Sequence, residues 1–187
     1  MKKYSFLLSI IILTWLFSFD LAGYICENSE KFDQPILITS AGQSAEVQLA
    51  NVLAKRAGLT ASLIKTPAEN DLEGVNTIIL VIGASLKGLG AAGLDVEQEK
   101  QRVSRFIQSV EGKKLPIICL HLGGEARRGD LSDELISCYV PRARSVIIVK
   151  SGNKDGLFTS LCMENNIPLI EVERTADALT PLKDLFN

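Results

Sequence analysis

Apolar residues along this chain follow two patterns. Runs such as Thr77–Ile82 and Val146–Val149 are continuous, rich in β-branched residues and without polar alternation, which is the pattern of strands buried on both faces, as in a parallel sheet. Between them, apolar residues recur at three- and four-residue spacing, as at Val47, Ala50, Leu53, Ala54 and Ala57, and at Val96, Val103, Phe106, Ile107 and Val110. These spacings predict amphipathic helices. Four times an aliphatic run stops at a small, glycine- or serine-rich turn followed by a helix start: residues 36–44, 78–85, 117–124 and 146–152.

Local signals mark the element ends. Strands are predicted at 35–39, 61–65, 77–82, 116–122, 145–150 and 168–172. Ser44 is the expected N-cap of the first helix, with Glu46 in its first turn and Gly58 as its stop. One helical turn is expected at 69–72, and 83–93 reads as a glycine-rich loop. Asp95 and Gln98 form a capping-box pair opening the longest helix, which ends at Gly112. Shorter helical segments are expected at 131–139, 156–164 and 175–186. This alternation predicts a three-layer, doubly wound α/β domain on a mainly parallel sheet of five to six strands, flavodoxin-like or Rossmann-like. The expected strand order is 2-1-3-4-5 with the sixth strand appended.

The N-terminus has a different character. Lys2 and Lys3 precede an apolar stretch from Phe6 to Phe19, shorter than the ~20 residues of a spanning helix. The expectation is an export signal over 1–23, cut after Gly23, with an uncleaved membrane anchor as the alternative. A lipidated cysteine is excluded, because Tyr24 stands where it would be. Residues 24–34 read as a flexible tether, and 35–187 as one domain, secreted or otherwise outside the cytoplasm. Removing Lys2, Lys3 and Asp20 moves the net charge from −2 to −3, which excludes a basic nucleic-acid binder. Cys26, Cys119, Cys138 and Cys162 contain no CxxC spacing, so no zinc or thioredoxin-type centre is expected. They read as small buried hydrophobes, with a Cys138–Cys162 bridge as the alternative.

Ligands of open parallel sheets bind beyond the carboxyl ends of the strands, where the strand order reverses. Here that juxtaposes the turn after the first strand with the turns after the third and fourth. The candidate ligand-binding residues are Thr39, Ser40, Gly42, Gln43 and Ser44, with Gly83, Ser85, Lys87, His121, Gly123, Gly124 and Arg127. Backbone amides at a helix start, glycines that allow close approach, and the Lys87 and Arg127 charges suit a small anion. The expected function is a non-catalytic module binding such an anion, with a membrane transporter or sensor as partner. The alternatives are a hydrolase using Ser40 or Ser44 with His121, and a structural or partner-binding protein. Cys119 and His121 alternate on one strand, about 7 Å apart, too far for a nucleophilic pair. No metal or cofactor is expected. Gly88-Leu-Gly-Ala-Ala-Gly93 matches GxGxxG but lies late in a long segment rather than at the first strand–helix turn. Arg128-Gly129-Asp130 reads as a chance tripeptide.

The first loop, Thr39-Ser-Ala-Gly-Gln-Ser-Ala-Glu46, resembles the phosphate loop of flavodoxins. The later loops 83–93 and 123–130 contain no aromatic residue to stack on a flavin, and this excludes a flavin cofactor. The opening from Gln34 to Val47, with the apolar N-terminus, resembles a family of exported bacterial proteins that is a domain of unknown function. That resemblance implies export and a one-domain architecture, and no activity or catalytic residues.

Overall fold

Six strands form one all-parallel sheet in the computed structural model, which describes residues 30–187. The expected signal segment and residues 24–29 of the tether lie outside the described residues. The strands are β1 (Ile36–Ala41), β2 (Ala61–Leu63), β3 (Thr77–Ile82), β4 (Ile117–His121), β5 (Ser145–Val149) and β6 (Leu169–Val172), in the order β2-β1-β3-β4-β5-β6. The helices are α1 (Glu46–Arg56), α2 (Leu86–Ala91), α3 (Val96–Gly112), α4 (Asp130–Tyr139), α5 (Leu157–Glu164) and α6 (Leu179–Asp184). A single 3-10 turn at Glu69–Leu72 links β2 to β3.

The continuous apolar strands bury both faces, because alternate side chains serve two layers. Leu37, Leu80, Cys119, Val146 and Ile148 pack with Val103, Phe106, Ile107 and Val110 of α3, Leu135 and Ile136 of α4, and Phe158 and Cys162 of α5. Ile36, Ile38, Ile79, Val81, Leu120 and Ile147 pack with Val47, Ala50 and Leu53 of α1 and Leu182 of α6. Each Val, Leu, Ile or Phe among them, fully buried, contributes ~1.5–3 kcal/mol. The sheet order reverses at β1, which pairs with β2 on one side and β3 on the other. The turns leaving β1 and β3 therefore meet at the switch point.

Several local expectations are corrected. β1 runs on to Ala41, because Thr39 and Ser40 are buried and stay in register with Leu80 and Val81. The segment 83–93 is not all loop. It contains α2, whose first turn is held by Ser85 Oγ accepting from the Gly88 N–H at 3.1 Å. Two glycines inside that helix mask it in the sequence, since each costs ~1 kcal/mol of helix propensity. Ser44 is not the cap of α1; Ala45 takes that position without a side-chain hydrogen bond. Residues 31–34, read as tether, are packed. The Phe32 N–H donates to the Leu185 carbonyl at 2.8 Å, and its ring lies 6.2 Å from Phe186. Cys119, Cys138 and Cys162 are all free thiols; the first and last are buried, whereas Cys138 is exposed, off the inward stripe of α4. Burial pushes the Cys119 thiol well above its ordinary range, and that of Cys162 up to about 11.

Candidate functional site at the strand ends

The turn leaving β1 is built around a carboxylate of the protein itself. Glu99 is fully buried, although it sits on α3. Its Oε1 accepts from the Gly42 N–H at 2.8 Å and from Arg102 Nη2 at 2.8 Å, and its Oε2 from Arg102 Nε at 2.8 Å. The Gln43 amide adds contacts of 3.3 and 3.4 Å. Arg102 Nη2 also donates to the Ser40 carbonyl at 2.6 Å. This forked, charge-assisted pair is the strong kind of ion pair. Gln43 lies at φ 57°, unusual for a non-glycine residue, and its side chain is fixed by Glu99 and the Lys65 carbonyl. Thr39 Oγ1 donates to that carbonyl too, at 3.2 Å. Gly42, at φ 99°, has no room for a side chain: a Cβ there would lie 2.6 Å from the Gly83 carbonyl oxygen.

A second cluster forms where the turns after β3 and β4 meet the start of α1. Arg127 Nε donates to Glu46 Oε1 at 2.7 Å. The Arg127 side chain remains 35% exposed, while that of Glu46 is 11% exposed. Neither Nη group of Arg127 has a protein partner among the described residues. A Cβ on Gly83 would lie 3.2 Å from Ser44 Oγ and 3.8 Å from Arg127 Cβ, and one on Gly123 would lie 2.9 Å from Glu46 Oε1. The missing side chains thus bring backbone close to these groups. Burial raises the pKa of Glu46, but the neighbouring Ser44 hydroxyl and the Arg127 guanidinium outweigh it and hold the carboxyl below its usual range.

His121 belongs to a third, separate group. Its Nδ1 lies 2.9 Å from the Ile82 carbonyl and its Nε2 3.0 Å from the Gly124 carbonyl, so both ring nitrogens are engaged by backbone oxygens. The ring is 1% exposed and sits 5.2 Å from Phe158. A Cβ on Gly152 would approach it to 2.7 Å. Cys119 Sγ is instead 3.8 Å from the Tyr139 carbonyl. Above Phe158, at 5.9 Å, lies the Arg128 guanidinium, which also contacts Asp133, Asp155 and the Gly152 carbonyl. Those hydrogen bonds hold Asp155 at about 2.

The candidate residues thus separate into groups. Ser44, Gly83, Gly123 and Arg127 come together; Thr39, Ser40, Gly42 and Gln43 surround the Glu99–Arg102 pair; His121 and Gly124 form the group beside Gly152. Ser85 serves as a helix cap, and Lys87 is exposed on α2 with no ion pair among the described residues. Sequence reasoning missed Glu99 and Arg102. The available signal was position: Glu99 falls on the stripe Val96, Val103, Phe106 and Val110, where an apolar residue is expected. Among the described residues, no three His, Cys, Asp or Glu groups gather as metal ligands, and no helix is long and apolar enough to cross a membrane.

A family model described as a domain of unknown function matches residues 33–186. No curated protein matches the sequence. Similar solved structures include a protein assigned to the G-D-S-L lipolytic family from Desulfitobacterium hafniense, 12% identical over 75% of this chain and 77% of that one, with a TM-score of 0.35. The SGNH-hydrolase family esterase AlinE4 is 14% identical over 84% of each chain, with a TM-score of 0.30. A protein assigned as an acylhydrolase from Bacteroides fragilis is 9% identical over 77% of this chain and 71% of that one, at 0.32. Likeness of this degree carries no argument about activity.

Proposed function

We propose that this chain, which belongs to that family, DUF6305, is a non-catalytic module that binds a small anionic molecule beyond the carboxyl ends of β1, β3 and β4. One observation carries the reading: Arg127, aligned through Nε by Glu46, keeps both terminal nitrogens without protein partners at a partly exposed position. A guanidinium held in this way offers two parallel donors to a carboxylate or phosphate. Gly83 and Gly123 let backbone stand close to it, and beneath Gly83 lies the buried Ser44 hydroxyl, which has no partner among the described residues. The Glu99 contacts give an internal precedent, since a carboxylate is already held nearby by a glycine amide and an arginine.

Hydrolysis by Ser40 or Ser44 with His121 is the weaker reading. A general base needs a free ring nitrogen within reach of the hydroxyl. Both nitrogens of His121 face carbonyls, and neither serine Oγ has a hydrogen-bond partner.

A module of this kind serves outside the cytoplasm, passing its ligand to a membrane transporter or sensor, if the N-terminal export signal operates as expected. The site itself is tested by thermal unfolding of the full chain with inorganic phosphate and with acetate. Ligand that binds only the native state raises the melting temperature with concentration. Arg127→Gln is expected to abolish that rise while leaving the ligand-free melting temperature within a few degrees. An undiminished rise in the variant contradicts the site.

A further inference from the structure

A groove of about 630 Å³ lies between the segment Pro67–Glu69 and α3. That volume falls within the ~300–1,000 Å³ range of small-ligand sites. Pro67, Leu94 and Phe106 give it apolar wall, and Gln98, Gln101, Arg102, Arg105 and Ser109 give it polar wall; Glu69 is its one carboxylate, set against two guanidinium groups. Arg102 is the arginine that holds Glu99. Two of its nitrogens are committed there and to the Ser40 carbonyl, and its Nη1 is buried without a partner. Arg105 is exposed and bonded only through Nη2, to Gln101 Oε1 at 3.2 Å, which leaves its Nε and Nη1 without protein partners among the described residues. A neutral amide is a modest acceptor for a guanidinium, and an anion replaces it with a charge-assisted bond.

We propose that this groove is a second binding site, for an anion carrying a short apolar body. Arg105 takes the carboxylate or phosphate, Gln101 gives up its long 3.4 Å contact with Glu97 Oε1 and turns its amide N–H toward the same group, and Pro67, Leu94 and Phe106 cover the apolar part. The site is independent of Arg127. It is coupled to the strand ends through Arg102, whose side chain borders the groove while its Nε and Nη2 fix the turn after β1. The carboxylate and phosphate forms of the ligand share this chemistry, and the experiment separates them.

The test titrates the full chain with benzoate, phenyl phosphate and neutral benzamide, followed by side-chain and backbone amide resonances. Both anions are expected to shift Gln98, Gln101 and Arg105, with the tighter of the two naming the preferred head group. Benzamide is expected to bind at least about tenfold more weakly, the loss of one charged hydrogen bond. Arg105→Gln, an exposed substitution that leaves the core untouched, is expected to weaken the anions by a similar factor without changing the melting temperature. Persistence of the groove shifts in Arg127→Gln supports the proposal. Benzamide binding as tightly as benzoate overturns it, as does an unchanged affinity in Arg105→Gln or the absence of groove shifts. Shifts confined to Ser44, Gly83 and Gly123 overturn the groove while supporting the strand-end site.

Discussion

A glutamate on the apolar stripe of a helix needs partners, because a buried, unpaired carboxylate costs several kcal/mol. Glu99 finds three: the Gly42 amide, the Gln43 side chain and the Arg102 fork. Removing one member should be costly. Glu99→Ala leaves Arg102 and the Gly42 N–H without their acceptor, and it is expected to lower stability by ~3–5 kcal/mol in urea unfolding. Replacing both Glu99 and Arg102 by methionine should cost much less than Glu99→Ala alone. A double variant as unstable as the single one contradicts the account. Glu46 and Asp155 set an acid dependence. Both carboxyls have folded pKa values below their ordinary values of 4.5 and 3.8. Their stabilising contribution is therefore complete above that range and is lost as pH falls through the folded values, near about 2 for Asp155. Unfolding free energy should fall between pH 5 and pH 2, less steeply in Glu46→Gln; a rise over that interval contradicts the sign. Asp155 is more than half exposed, so its share is small and screened by salt.

At the scale of elements, the sequence was most legible where one physical signal dominated. The β3 boundaries follow directly from the unbroken run Thr77–Ile82, and α3 from the Asp95–Gln98 capping box, observed with Gln98 N–H to Asp95 Oδ1 at 2.7 Å and Asp95 N–H to Gln98 Oε1 at 2.9 Å. Asp95→Ala should accordingly lower stability by ~1 kcal/mol, read as an earlier urea midpoint at an unchanged slope. An unchanged midpoint contradicts a capping role. Legibility failed at α2, where glycines hide a helix. One of them, Gly88, is needed for a tertiary reason: a Cβ there would lie 2.0 Å from the Gln43 carbonyl oxygen. No local propensity encodes that requirement. The same holds for Ser44, which reads as a helix cap but is drawn instead toward Glu46 and Gly83.

For the molecule as a whole, the expected parallel sheet with its reversal at β1 is present, and the two apolar layers follow from strands that are hydrophobic on both faces. Periodicity and connection rules suffice for that much. The site was legible only as a region. Which side chains pair depends on contacts between residues 57 apart, as for Gly42 and Glu99, or 81 apart, as for Glu46 and Arg127. Nothing in a local window specifies them. The arrangement divides the strand ends into a closed part, filled by Glu99, and an open part, at Arg127. The most direct measurement of that division is an amide-resonance titration of the full chain with inorganic phosphate. The account predicts saturable shifts at Ser44, Gly83 and Gly123 that vanish in Arg127→Gln, with Gly42 unmoved because Glu99 holds its amide. Shifts centred on Gly42, or shifts that survive Arg127→Gln, would contradict it.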